Sequence, residues 1–359
     1  MNNFSDLFPP PKFLRMPAIG VDIGEEAIRC VEFGKSGGTL TLRQFGSKSL
    51  RQGTIKNGEI LNAEELKRML RGLRDEYRFE FAHLSLPEEK AYIFRTAVPL
   101  SDPEQIRDAI EFQLEENVPL SISEALFDYT ILRNPGHDTD HLDVVVVVLP
   151  KQYVEEYANI IKSAGIFPLS LQIAPTAIAH AITPQKYLGT SMLIHFHREK
   201  TEIIIVSQGA VQFTSTIGIG GDALTASIEK HFGVSADEAR KIKRGDVFIK
   251  NKEKVELFFS LMNTVSALKD EIYRLYIYWH TFKGRGDETG GKIERVVLCG
   301  DDALLPGFDE YLSIMLQTPV EVGNVWTNAF EFDDHVPQMK FNESLEYAAA
   351  IGLALADKF

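Results

Sequence analysis

Residues 193–206 read LIHFHREKTEIIIV: an apolar run, a short charged turn and a second run rich in β-branched residues, which is the pattern of a β-hairpin. Read outward, SMLIHF, TEIIIVSQ and AVQFTSTIGIGG make a three-strand antiparallel meander. The same layout occurs once before, in AIGVDIG, AIRCVEF and TLTLRQFGSKSL from Ala18, with tight turns such as KSGG between the runs. Two such meanders predict an α/β protein of two similar lobes, each with a mixed sheet begun by a meander. Within the hairpin His195 and His197 alternate, so both point to one face, as two metal ligands could. The neighbouring sequence suggests no third ligand, and we expect no metal there.

The chain has 359 residues, 44% of them hydrophobic and 25% charged, enough for two compact lobes with separate cores. Its 51 acidic residues outnumber 38 basic ones, giving a net charge of -13, which repels a phosphate backbone and argues against nucleic acid as a partner. Cys30 and Cys299 sit singly in apolar strand-like runs and lack the spacing of a disulfide framework or zinc site, which fits a reducing cytoplasm. The opening MNNFSDLFPPPKFLRMP has no apolar signal core, and its prolines break any helix, so it reads as a tethering arm. AGIFPLSLQIAPTAIAHAI (Ala164–Ile182) carries no charge, but Gly165, Pro168, Gln172, Pro175 and His180 divide it. We expect a buried strand followed by a helix begun at Pro175.

After the first meander, NAEELKRMLRGLRDEY has one apolar face at Leu66, Met69, Leu70 and Leu73, and the strand FAHLSLP follows. From about Tyr92 comes a small α/β insertion: strand FRTAVPL, helix DPEQIRDAIEFQLEENV, strands LFDYTILR and LDVVVVVLP, and a further helix. The second meander leads to helices at about 222–232 and 235–244. Val255, Phe258, Met262, Val265, Leu268, Ile272, Leu275 and Trp279 then mark one face of a core helix spanning roughly 38 Å. The tail predicts strand ERVVLCG, a helix within LPGFDEYLSIMLQ, strand PVEV and a final helix ESLEYAAAIGLALA.

Several motifs fail on context. GDETGGKI (286–293) has P-loop spacing, but Ile293 stands where the magnesium-binding hydroxyl belongs, and the segment precedes a strand where a P-loop follows one. GIGGDA (218–223) mimics a dinucleotide loop, yet its strand ends an antiparallel meander and no βαβ crossover surrounds it. GHDTDHLD (136–143) gathers His137, Asp138, Asp140, His141 and Asp143 where a hairpin turn is needed, and reads as a solvated turn. No HExxH or CxxC is present, and the GxSxG spacing of Gly34–Gly38 falls in the tight KSGG turn between two strands where no helix follows, so hydrolase and zinc chemistry have no motif to support them.

The repeated meander, the insertion and the late VVLCGDDALLPGF resemble the actin-like superfamily, and in detail the PilM family of type IV pilus assembly proteins. The resemblance runs nearly the full length. It rests on GVDIGEEAIRCVEF, VPLSISEALFDYTIL, VLPKQYVEEYANIIKSAGIFPLSLQIAPTAIAHAI, IGIGGDALTASIEKHFGVSADEARKIKRG, ALLPGFDEYL with PVEVGN, and YAAAIGLAL. It implies an arm at 1–17, subdomain 1A at 18–90 and 165–189, an inserted subdomain 1C at 91–164, subdomain 2A at 190–221 and 293–359, and subdomain 2B at 222–292.

In the superfamily, one hairpin turn per lobe pinches nucleotide phosphates, and an Asp in each organises magnesium and water. Asp22 and Gly24 match the first turn, but Glu25 and Glu26 follow where small polar residues are usual. A carboxylate about 4 Å from a phosphate charge costs roughly 4 kcal/mol at an effective dielectric of 20. In the second turn His195 and His197 take the places of the Asp and a Gly, and only Thr201 is kept. Ala174 precedes Pro175 where Glu is usual, and Arg240 stands for a ribose-binding Glu, although Lys243 is kept. Gly300, Asp301 and Asp302 replace three glycines that lie flat on adenosine.

Asp22, Gly24, Thr201, Gly220, Gly221, Lys243 and Gly300 are therefore the expected remnant of a degenerate nucleotide site, with no catalytic residue and no metal. Arg198 and Lys200 leave weak ATP/Mg binding open. The resemblance implies a cytoplasmic scaffold, peripheral to the inner membrane through its partner. That partner would be a PilN-like bitopic inner-membrane protein, whose N-terminal peptide would enter the cleft between subdomains 1A and 1C near strands Phe94–Leu100 and Phe127–Leu132. A pilus assembly ATPase or platform protein is a further candidate partner, and no direct membrane insertion is expected. Two alternatives remain: an active actin-like Mg-ATPase, and an FtsA-like division protein, which would carry a basic membrane helix beyond the closing ADKF.

Overall fold

A computed structural model describes residues 18–99, 102–132, 141–244, 251–281, 291–300 and 302–358. The arm at 1–17, most of GHDTDHLD and the GDETG of the P-loop mimic lie outside the described residues. In the first lobe β1 (Ala18–Ile23), β2 (Ala27–Ser36) and β3 (Thr39–Ser49) form the expected meander. A short hairpin, β4 (Ile55–Lys56) and β5 (Glu59–Ile60), leads to a helix at Ala63–Tyr77. Asn62 caps that helix by accepting from the Glu65 N–H, and Leu66, Leu70 and Leu73 on its inner face are buried. Then β6 (Phe81–Leu86) pairs parallel with β1.

The insertion has its own three-stranded antiparallel sheet. Strands β7 (Tyr92–Pro99), β8 (Ala125–Ile131) and β9 (His141–Pro150) stand in the order β7-β9-β8. The helix Pro103–Asn117 covers one face, packing Ile106, Ile110 and Leu114 on Val98, Val144, Val146 and Val148. The next helix, Lys151–Ser163, returns Tyr153, Tyr157 and Ile161 to the first lobe's core. Strand β10 (Phe167–Ile173) and the helix Ala174–Ile182 lead into the second lobe.

There β11 (Thr190–Phe196), β12 (Thr201–Ser207) and β13 (Ala210–Ile217) repeat the meander, and β14 (Ile293–Gly300) and β15 (Val320–Val322) complete the sheet. The two sheets run β3-β2-β1-β6-β10 and β13-β12-β11-β14-β15. In each, the first meander strand is antiparallel to the second and parallel to the next strand inward, so the duplication seen in the sequence is a duplication of topology. Both cysteines are free and buried, and burial, the leading cause, pushes the Cys30 thiol up to about 12.

Three expectations need correction. Strand β10 is not buried: it is a sheet edge, with Phe167 57% and Leu169 41% exposed. Pro168 offers no N–H to a further strand, and the register with β6 shifts between Pro168 and Ser170. The long helix runs from Asn251 to Thr281, and among the residues whose burial is described Leu257 and Leu261 are its first core contacts, while Met262 faces solvent. Those two residues continue the stripe of Leu268, Ile272 and Leu275 better than Met262 does. The closing segment is not one helix but Phe341–Ser344, a 3-10 turn at Leu345–Tyr347 and a helix at Ala348–Ala354. The Ser344 hydroxyl donates to the Phe341 carbonyl and so competes with the helical ladder at the break.

The helix Ala348–Ala354 crosses the helix Ala174–Ile182 at backbone contact distance. A Cβ on Gly352 would lie 1.7 Å from the Ala177 carbonyl oxygen, and one on Gly20 would lie 2.2 Å from that of Ala350. Small residues let these two helices pass between the lobes and bring the two hairpin turns face to face.

Candidate inter-lobe site

The first turn joins β1 to β2 and closes by the Gly24 N–H donating to the Ala27 carbonyl at 3.1 Å. Asp22 accepts from the Ser85 hydroxyl at 2.7 Å, and Ser85 in turn accepts from the Ile23 N–H at 2.8 Å, so the carboxylate is held by the neighbouring strand. Glu25 accepts at 3.3 Å from the Gly58 N–H in the turn between β4 and β5, which draws it toward that turn.

The second turn is the shortest that can reverse the chain here. The His197 N–H donates to the Lys200 carbonyl at 2.9 Å, leaving Arg198 and Glu199 at its tip. Across the hairpin His195 pairs with Glu202. Because paired residues and alternate residues share a face, His195, His197, Lys200 and Glu202 all look into the cleft. His195 Nδ1 lies 3.3 Å from Glu202 Oε2, and His197 Nε2 lies 3.0 Å from Glu202 Oε1. The expectation of only two possible ligands is thus corrected: Glu202 joins both histidines.

Ion pairs tie the two turns together. Lys200 meets Glu89 in the first lobe, with Glu88 at 3.9 Å and Glu202 at 3.4 Å. Arg198 reaches Glu26 across the cleft at 3.7 Å and Asp222 behind it at 3.0 Å. Thr216 donates to Glu88 at 3.4 Å. Between the turns remains a cavity of about 60 Å³. That holds a few waters but is well under the ~300 Å³ of the smaller ligand pockets. Its lining includes seven carboxylates against three Arg and Lys side chains.

Burial and charge set the protonation states. Burial, joined by repulsion from Glu202, raises the Glu88 carboxyl well above the usual range. Burial would also raise Glu202, but His197, His195 and Lys200 outweigh it and hold that carboxylate well below its ordinary value. Burial opposes the Lys200 ammonium, yet Glu202, Glu88 and Glu89 prevail and raise its pKa. Burial first, and then His197, lower His195, so its imidazole is neutral.

Asp22 and Gly24 line the cavity with the histidines, whereas the other expected residues sit behind the second turn. Gly221 and Asp222 give their N–H groups to the His197 and Arg198 carbonyls at 2.9 and 2.7 Å, and Thr201 donates its hydroxyl to the Ile219 carbonyl at 2.7 Å. A Cβ on Gly220 would meet Lys200 N at 2.4 Å, and one on Gly221 would meet Asp302 at 1.8 Å. Gly300, at φ +87°, would strike the Phe196 carbonyl at 2.1 Å. Each of these glycines has a reason in the packing of the turn itself. Buried Lys243 is engaged by Asp302 at 2.8 Å and by the Gly221 carbonyl at 2.9 Å. Arg240 pairs with Asp237 on its own helix at 2.9 Å.

Residues 20–358 match the family described as type IV pilus assembly protein PilM. The chain belongs to the PilM family. Among solved structures, a PilM-PilN type IV pilus biogenesis complex is similar with a TM-score of 0.71 at 20% identity, covering 95% of this chain and 98% of that one. The ethanolamine utilization protein EutJ from Carboxydothermus hydrogenoformans gives 0.52 at 15% identity over 94% of this chain and 89% of its own. MreB5 of Spiroplasma citri bound to ADP gives 0.56 at 12% identity over 96% of each chain. These likenesses establish the actin-like fold for this PilM-family chain. Among the described residues no helix is long and apolar enough to cross a membrane.

Sequence reasoning missed Glu88, Glu89, Glu202 and Asp302 as partners of the site. For Glu202 a signal existed: it is the one charge in TEIIIV, and a two-residue turn sets it opposite His195. Nothing local points from LPEEK to Lys200.

Proposed function

We propose that the chain is a type IV pilus assembly scaffold that holds its two lobes together with its own charges in place of Mg-ATP. In this role it takes up the cytoplasmic N-terminal peptide of a PilN-like bitopic inner-membrane protein. The observation that carries the nucleotide half is the engagement of the cleft's cations. Lys200 lies among three carboxylates, and Lys243 is spent on Asp302 and a carbonyl. A nucleotide entering here would have to displace those partners and meet the surplus of carboxylates.

Family membership supports the partner half, and so does the insertion. Among the described residues strand β8 pairs with β9 on one side only, so its other edge would offer backbone donors and acceptors to an extended segment. Leu126 and Ile131 on that strand are exposed, as is Tyr92 on β7, and Arg107 lies over the Phe127 ring at 4.3 Å. Such a partner would hold the protein at the cytoplasmic face of the inner membrane.

The test is a titration with a labelled peptide from the cytoplasmic start of the bitopic pilus protein, with and without Mg-ATP, alongside thermal unfolding in millimolar Mg-ATP. We expect saturable binding that is the same in both conditions, and no nucleotide-dependent shift. A nucleotide at 100 times its Kd would add about 2.7 kcal/mol of stability, so a clear rise in Tm refutes the nucleotide half. Absence of peptide binding in both conditions refutes the scaffold.

A further inference from the structure

We propose that His195, His197 and Glu202 form a binding site for one divalent transition-metal ion of the zinc type. The three offer two ring nitrogens and a carboxylate whose ligand atoms all lie within 4.8 Å of one another. His195 Nδ1 lies 3.3 Å from Glu202 Oε2 and His197 Nε2 lies 3.0 Å from Oε1, so the histidines meet different oxygens of one carboxylate. Tetrahedral zinc with bonds near 2.0–2.1 Å sets its ligands about 3.3 Å apart, so ligand atoms that lie within 4.8 Å must draw together by up to about 1.5 Å through side-chain rotation.

The site is prepared by the hairpin. One cross-strand pair and one alternate residue, joined by a two-residue turn, supply all three ligands, so ordering the site demands no movement of the lobes. It therefore stands or falls independently of the peptide reading. His195 and Glu202 are buried, and the ring centroids of His195 and His197 are 4.2 Å apart.

Three protein ligands leave a fourth position, and the adjoining 60 Å³ cavity has room for a water there. Lys200, at 3.4 Å from Glu202, opposes a cation, but even without a charge on Glu88 the carboxylates of the lining outnumber its three Arg and Lys side chains and leave the cleft negative overall. Imidazole nitrogens favour zinc, cobalt or nickel over magnesium and calcium, which prefer all-oxygen sites. Both thiols of the chain are free and buried: Cys30 lies in the first lobe, and Cys299, the register partner of His195 in the sheet, donates to the Ile194 carbonyl at 3.6 Å.

The probe is the metal itself, added to untagged, chelator-treated protein. Calorimetry with Zn²⁺ should give one ion per chain, Co²⁺ should develop visible absorption bands of a nitrogen- and oxygen-bound ion, and Mg²⁺ should not compete. Loss of an outer partner of a metal ligand weakens binding 10- to 100-fold, so Glu202→Gln and His197→Ala should each weaken Zn²⁺ by about 100-fold or more. His141→Ala, on the distant strand β9, should leave it unchanged. His197 is only part-buried, so that variant keeps the test usable if Glu202→Gln fails to fold, as circular dichroism would reveal. The proposal is overturned by no Zn²⁺ binding to the native chain, by equal affinity in the His197→Ala variant, by tighter binding of Mg²⁺, or by loss of the ion on His141→Ala.

Discussion

Replacing Lys200 with methionine removes the ammonium that links the second hairpin to the first lobe while keeping much of its apolar stem. At an effective dielectric of about 20, a charge pair at 3.4 Å, the distance to Glu202, is worth about 5 kcal/mol before desolvation. Removing the buried ammonium's own desolvation cost offsets part of this, and Glu88 contributes little because its carboxyl favours the protonated form. The net loss for stranding Glu89 and leaving Glu202 to the two histidines alone should be about 3 kcal/mol at neutral pH. Its pH dependence has a definite sign. In the native chain Glu202 is held below its ordinary pKa, so its stabilisation is present above about pH 4.5 and fades as the pH falls through the folded value. Without Lys200 that pKa rises, so the variant's penalty is full from neutral pH down to about pH 4.5 and shrinks as the pH falls below it. Urea unfolding followed by tryptophan fluorescence, with Trp326 buried in the core, at pH 7.5 and about pH 3.5 measures both effects. A double-mutant cycle with Glu89→Gln should show a coupling of at least about 1 kcal/mol. A loss under about 0.5 kcal/mol, a penalty equal at the two pH values, or strict additivity with Glu89→Gln would refute the clamp.

Gly300→Ala sets a Cβ 2.1 Å from the Phe196 carbonyl at a left-handed φ and should cost at least about 2 kcal/mol in urea, whether or not nucleotide is ever bound. A neutral result would show that the turn does not pack as described. Gly352→Val drives a side chain into the Ala177 backbone and should destabilise by about 3 kcal/mol or more; a melting temperature within 2 °C of the native value, taken as roughly 1 kcal/mol or less, contradicts the helix crossing. His180 is neutral in the fold because burial lowers its pKa from 6.5 to about 4. Its full contribution is present above pH 6.5 and about 3 kcal/mol is lost as the pH falls toward 4. His180→Leu should flatten the stability profile in that window, and an unchanged slope would remove His180 as its cause.

Much of the fold was legible because its signals are local. The alternation in GVDIG and LIHFH, the β-branched runs and the Gly-containing turns mark strands whatever the rest of the chain does, and their recurrence in one order marks two lobes. Pro175 opened its helix as expected, and the insertion's helix and strands fell near the expected positions. The errors were of another kind. Phe167 and Leu169 look like core residues by composition, but a strand's place at the edge of a sheet depends on which strands pair with it. Along the long helix, a shift of one residue turns the apolar face by about 100°, so Met262 and Leu261 exchange inside for outside.

The candidate site divides in the same way. Residue types at the two turns were enough to show that Asp22 remains and that His195 and His197 stand where a carboxylate and a glycine would belong. They could not show what those substitutions face. Lys200 and Glu89 lie 111 residues apart in the chain, and Lys243 and Asp302 lie 59 apart. Chain separation carries no Coulomb energy; distance and burial do, and both arise only when the two sheets close on one cleft. Hydrophobic period and turn chemistry therefore reached as far as the architecture. Residue types at the turns already spoke against a nucleotide; the charge balance of the cleft, and with it the case for a metal ion, came from folding.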